Sequence, residues 1–216
     1  MTTKTSNLYC GCSIDPGTRT LGFCAWAFDL ETFNVEVYHV ETLNVLGYEE
    51  SNFEYNEVLP NPLIVRLRGL QLVLTKMFED YSPKIVTFED AFYKRLTGAR
   101  SYERLIRCQE VIMNALAAYD KTCPVEIILP SVAKLTLGIP GNTKDKLLVP
   151  KTLETIDWIK LPDGITYDDL DEHSCDSIML MHAFLKEFRR IWMLRCQIRS
   201  DILAAKKYLK GNTDDS

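Results

Sequence analysis

No stretch of this 216-residue sequence approaches the roughly 18 to 20 uninterrupted apolar residues that a membrane-spanning helix requires. The opening run Met1-Thr2-Thr3-Lys4-Thr5-Ser6-Asn7 also lacks the apolar core of a secretion signal. A cytoplasmic protein with no membrane partner is therefore expected. Paired C-x-x-C spacing is missing too, and an odd count of seven cysteines fits poorly with a secreted disulfide framework. The close pair Cys10 and Cys12 lies two apart in an apolar strand, which reads as small buried hydrophobes on one sheet face rather than metal ligands. There is no internal repeat, and no low-complexity segment beyond a polar tail from about residue 211 that is expected to be disordered. What remains is 46% hydrophobic, enough to bury a core at this length. A single domain over 1–216 is expected, with a basic helical extension from about residue 187.

Positive charge is absent where negative charge is dense. Residues 29–57 hold eight acids and no Lys or Arg. Elsewhere the sign reverses, with eight bases against two acids over residues 186–210 and five against one over 94–107. The formal net charge of -5 thus hides two basic blocks that permit a polyanion-binding side.

Hydrophobic patterning divides the chain into alternating elements. Leu8–Asp15, Thr20–Phe28 and Phe33–Thr42 read as three strands of an antiparallel meander, joined through Pro16-Gly17 and residues 29–32. A polar, acidic loop over 47–62 leads into a helix of about Leu63–Tyr81. Lys84–Glu89 is a short apolar strand, followed by a helix of about Thr97–Ala118 that buries Ile106, Val111, Ile112, Ala115 and Leu116. Val125–Leu129 reads as a strand and Ser131–Leu137 as a short helix. A Gly/Pro-bearing loop then gives way to a helix reaching about Trp158, and a last helix runs from near Asp169 to Arg190 or beyond. A meander followed by strands alternating with helices makes an α/β protein with a mixed β-sheet flanked by α-helices.

Acidic residues stand where strands end. Asp15 closes an apolar strand ahead of a tight glycine turn in Ser13-Ile14-Asp15-Pro16-Gly17-Thr18-Arg19-Thr20-Leu21-Gly22-Phe23. Asp before Pro-Gly also starts ordinary turns, so this motif alone is ambiguous. A second acid, Glu89, ends Ile85-Val86-Thr87-Phe88 in the same manner, and burying an unpaired carboxylate there is costly. The third element is Asp171-Glu172-His173-Ser174-Cys175-Asp176-Ser177 at the start of the last helix. Acids suit the positive end of a helix dipole, but His173 and Asp176, three apart, share a face. Glu172, four before Asp176, lies near that face as well, and geometry does not choose between it and His173.

Together these motifs resemble the RuvC family of Holliday junction resolvases, in the ribonuclease H-like superfamily, over about Tyr9 to Phe184. The resemblance implies a crossover junction endodeoxyribonuclease with metal ligands at Asp15, Glu89, His173 and Asp176. It implies two Mg²⁺ ions per site, replaceable by Mn²⁺, and oxygen-rich ligands suit both metals. It places Phe92 in a role stacking on DNA bases, Lys134 at phosphate, and Lys146 or Lys144 at the site, with Lys146 preferred because Val149 then keeps the family spacing. A homodimer acting on branched DNA, four-way junctions above all, is the implied partner arrangement. Flaps, forks or other branched DNA are the alternative substrates. An actin-like or sugar-kinase-like ATPase shares the fold core, but its body is much longer and no second glycine-rich phosphate loop is present.

Overall fold

The computed structural model describes residues 8–45, 62–91 and 98–211. Six strands form one sheet in the order β5-β4-β1-β2-β3-β6: β1 (Leu8–Asp15), β2 (Thr20–Asp29), β3 (Val35–Asn44), β4 (Val86–Glu89), β5 (Val125–Ile128) and β6 (Ile159–Lys160). β1, β2 and β3 pair antiparallel, whereas β4 runs parallel to β1 and β5 parallel to β4. Helices α1 (Pro62–Tyr81) and α2 (Gly98–Asp120) cover one face, and α3 (Pro130–Thr136), α4 (Leu148–Glu154) and α5 (Glu172–Gly211) cover the other.

Strand alternation builds the two cores. Cys12, Ile14, Phe23, Val86 and Phe88 point to the α1/α2 side. Cys24, Trp26 and Phe28 point to the α5 side. Because strand neighbours face opposite ways, Ser13, Asp15, Thr87 and Glu89 are turned toward α5. The helix-facing periodicity of α2 holds, with one change: Cys108 is buried in the core while Ile106 is half-buried.

Three boundaries differ from the sequence pattern. β3 begins at Val35 and not Phe33, because Phe33 has φ 59° and cannot extend a strand, while Asp29 Oδ1 accepts the N–H groups of Glu31 and Thr32 at 2.7 and 3.3 Å. α4 stops at Glu154, well short of Trp158. The open edge of β3 takes up the chain beyond it, with Val35 N–H donating to the Trp158 carbonyl at 2.8 Å and Ile159 pairing with Val35. A 3₁₀ turn at Tyr167–Asp169 precedes α5, which begins at Glu172. The acidic loop at 46–61, Phe92 and the tail at 212–216 lie outside the described residues. No helix among the described residues is long and apolar enough to cross a membrane.

Candidate active site

The parallel register of β1 and β4 pairs Ile14 with Phe88, so the next residues, Asp15 and Glu89, finish adjacent strands side by side on the α5 face. α5 is brought onto this spot by two devices. Thr42 of β3 donates its hydroxyl to Asp171 Oδ1 and lies 3.0 Å from Ser174 Oγ, while Asp171 Oδ1 caps the helix by accepting Ser174 N–H at 2.9 Å. Gly22, opposite Asp15 in β2, supplies the clearance: a Cβ there would sit 2.0 Å from the His173 carbonyl oxygen. The first turn of α5 therefore lies directly on the strand and carries His173 to Asp15.

Turns and caps on the other side are fixed by α2. Cys108 Sγ donates to the Gly17 carbonyl at 3.3 Å, and Gln109 Nε2 donates to the Glu89 carbonyl at 2.9 Å. Gly17 is required by the tight turn itself, since a Cβ would come within 1.9 Å of the Thr20 carbonyl oxygen. Thr20, Gly22, Thr42, Cys108 and Gln109 were not singled out by spacing or charge. Their signal is contact across the sheet, which a single sequence does not display.

Asp15 is buried, and its Oδ2 lies 2.6 Å from His173 Nδ1. The other ring nitrogen, Nε2, lies 2.8 Å from Thr20 Oγ1, so the imidazole is held at both ends. This pairing raises the His173 pKa, chiefly through the Asp15 bond and then through the charges of Asp15, Asp171 and Glu172. Burial, then the charges of Asp15 and Asp176 and a carboxyl contact with Asp15, push Glu89 up to about 8. Burial and the charges of Asp15 and Glu172 push Asp176 up to about 7. Lys134 opposes both shifts. Two carboxyl groups that resist ionisation beside a third mark a place short of positive charge.

The structure brings Asp15, Glu89, Asp176 and His173 to one locus. Glu172 and Lys146 form their own pair at 2.5 Å at its margin. Lys134 and Lys144 line a cleft of about 570 Å³ together with Glu89, Asp176, Ser131 and Asn142. Lys134, Lys144 and Lys146 also line an adjoining hollow of about 260 Å³ against Glu172 and Asp176. Among the described residues no three acidic, imidazole or thiol groups grip an ion-sized point as the side chains stand. The chemistry of the set still fits a hard divalent cation: oxygen donors dominate, and added positive charge would offset the burial and the mutual repulsion that push Glu89 and Asp176 up.

The strand order, with its antiparallel start, parallel β4 and β5 and flanking helices, defines a ribonuclease H-like α/β fold. Among solved structures the chain is similar to RuvC of Thermus thermophilus in complex with Holliday junction substrate, at TM-score 0.58 and 16% identity, covering 81% of this chain and 91% of that one. It is also similar to the yeast mitochondrial Holliday junction resolvase Ydc2, at TM-score 0.56 and 14% identity, covering 85% and 83%. At such identities the likeness is one of fold. No protein-family model and no curated protein sequence matches the chain.

Proposed function

We propose that this chain is a metal-dependent, structure-selective DNA endonuclease that resolves Holliday junctions by paired symmetric nicks, leaving 5′-phosphate and 3′-hydroxyl ends. The observation that carries the reading is the convergence of Asp15, Glu89 and Asp176 on one face of a ribonuclease H-like sheet, with Glu89 and Asp176 lining a cleft beside Lys134 and Asp15 buried behind them. Both resolvases named above share that fold, and each is described as acting on or bound to a Holliday junction. The whole activity is assigned to one domain over 1–216, with the basic helical extension and polar tail as appendages.

Asp15, Glu89 and Asp176 would hold two Mg²⁺ ions, or Mn²⁺ in their place. When bound, such ions activate water, neutralise the scissile phosphate and stabilise the departing 3′-oxygen. His173 belongs to this set because its ring already touches Asp15, whereas Glu172 is engaged by Lys146. Thr20 fixes the ring's orientation from behind. Lys134 and Lys144 face the cleft and contact DNA phosphate, and Lys146, oriented by Glu172, approaches from the margin. Phe92 follows Glu89 closely enough in sequence to reach an unpaired base at a junction centre, and stacking there would compensate for lost pairing. Cutting two symmetry-related strands calls for a two-fold homodimer with one site per protomer.

The test is cleavage of four-way junctions, flaps, forks and linear duplex in Mg²⁺. Junctions are expected to be cut in symmetric pairs, and Asp15→Asn, Glu89→Gln and Asp176→Asn are each expected to abolish cutting while leaving junction affinity within about threefold. Full cutting by any of these variants overturns the site. Preferential cutting of flaps or forks keeps the nuclease and replaces the substrate.

A further inference from the structure

The cleft at the candidate site has two unlike halves. Glu89, Asp176, Lys134 and Lys144 supply its charge. The other half is neutral: Leu129 and Pro130 form an apolar shelf, and Ser131, Asn142 and Thr143 bring hydroxyl and amide groups to it. Leu129, the residue after β5, is 43% exposed, so the shelf stands open to solvent. Neither a divalent cation nor a phosphate group calls for an apolar shelf. A volume of about 570 Å³ is in the range of pockets that enclose a whole small molecule.

The loop after α3 fixes the neutral half. The Lys134 carbonyl accepts the N–H groups of Leu137 and Ile139, each at 3.0 Å, and the Ile139 side chain is buried in the core. Thr143 N–H donates to the Pro140 carbonyl at 3.0 Å. At Gly141 a Cβ would come within 2.9 Å of Ser131 Cβ, so the loop lies directly against the first turn of α3. Asn142 is the next residue. It is exposed and lines the cleft, and among the described residues no hydrogen bond engages its amide. An anchored loop thus presents an unused amide beside an apolar shelf, in the same cleft as two carboxylates.

We propose that this half of the cleft is a base-reading subsite: a nucleobase unstacked beside the scissile phosphate rests on Leu129 and Pro130, and Asn142 bonds to its edge. The inference rests on the nuclease reading above and adds to it a choice of sequence. Phosphate is the same at every nucleotide, so Lys134 and Lys144 carry no preference of their own. An amide does, because it sets donors beside an acceptor. Adenine answers that pattern on both sides of its exocyclic amine, through N6–H with N7 and through N6–H with N1, whereas each other base answers it on one side alone. Adenine is therefore the base the subsite takes. The shelf replaces the contact that the base gives up on leaving its stack.

The test is a pool of four-way junctions with randomised bases around the branch point, cut in Mg²⁺ and sequenced at the new ends. Wild type is expected to enrich adenine at one position beside the cut by about tenfold, toward the low end of what one bidentate pair discriminates. Asn142→Ala is expected to reduce that enrichment to about twofold or less, and Asn142→Asp, which only accepts, to move it toward cytosine, whose amine donates. Each enrichment is a ratio within one pool, so a change in overall rate does not enter it. In parallel, the uncut pool is bound to metal-free protein and the retained junctions are sequenced. A wild type that cuts nothing removes the nuclease reading, and the retained pool then decides the subsite alone, by the same enrichment and the same loss in Asn142→Ala. An even distribution of bases for wild type in both pools overturns the proposal. So does a preference that both Asn142 variants leave intact, which would place the choice in the deformability of the DNA. A wild-type preference for another base that Asn142→Ala abolishes keeps the subsite and corrects the base.

Discussion

Glu89 and Asp176 are held against the tendency of carboxyl groups to ionise, with Asp15 close to both. A folded-state pKa raised to about 8 for Glu89 means that the fold gains from its protonation below the ordinary carboxylate range and loses that gain as pH rises through about 8. Glu89→Gln removes the charge and keeps the shape. In metal-free buffer at pH 8 the variant is expected to be more stable than wild type by on the order of 1 kcal/mol. Mg²⁺ should then raise the melting temperature of wild type and not of the variant, because only the wild type retains the full set of charges. Equal Mg²⁺ shifts for both proteins, read by thermal denaturation, would remove Glu89 from the cation site.

His182 gives the opposite sign. It is buried, stacks on Trp158 at 5.3 Å and lies 3.2 Å from Thr136 Oγ1, and burial followed by the charge of Lys186 pushes its pKa down to about 4. Below the unfolded value of about 6.5 the unfolded chain takes a proton that the folded chain refuses. Stability from this residue is therefore complete above about 6.5 and declines by at most ~1.4 kcal/mol per pH unit down to about 4. Denaturant titrations of wild type and His182→Gln between pH 5 and 8 should differ in slope only below about 6.5. Parallel curves would show that His182 protonates without penalty.

At the scale of elements, the site depends on how closely α5 approaches β2. Gly22 permits that approach, and a methyl group added there meets backbone rather than a flexible side-chain tip. Gly22→Ala is expected to cost about 3 kcal/mol or more and to impair cleavage beyond what the lost stability explains, because His173 and Asp176 shift together with the helix. Cleavage measured well below the variant's melting temperature separates the two effects; normal activity there would show that the clearance serves packing alone. The same contact explains what was legible beforehand. Asp15 and Glu89 stood out because each ends an apolar run, and strand alternation with a parallel register then forces them together. Asp176 stood out through helical spacing. Gly22, Thr20 and Gln109 carry no such local mark, for their roles exist only once α5 and α2 cross the strand ends. The shortened α4 and the two-residue β6 were obscured for a related reason: the edge of β3 imposes pairing that residues 156–160 do not announce.

For the whole molecule, the proposed function requires an acidic net charge to coexist with affinity for a polyanion. The sequence separates its charges, and the fold gathers Lys134 and Lys144 along the cleft that contains Glu89 and Asp176. On that reading, DNA approaching the carboxylates would pass these lysines, and each phosphate they neutralised would release condensed counterions. Lys134→Ala is expected to flatten the dependence of log affinity on log salt by about 1 for junction DNA, and Lys144→Ala by a similar amount. Lys146→Ala should do less to the slope, since Glu172 already compensates that charge at 2.5 Å. Glu172→Gln would free Lys146 and steepen the slope, a gain in salt-sensitive affinity that a purely structural ion pair would not produce. Binding of a labelled four-way junction across about 50 to 200 mM salt, with the carboxylates disabled by Asp15→Asn to prevent cutting, measures all four slopes. If the slopes of Lys134→Ala and Lys144→Ala coincide with that of the parent, neither the cleft nor the adjoining hollow, which the same two lysines line, is the path of the phosphate backbone.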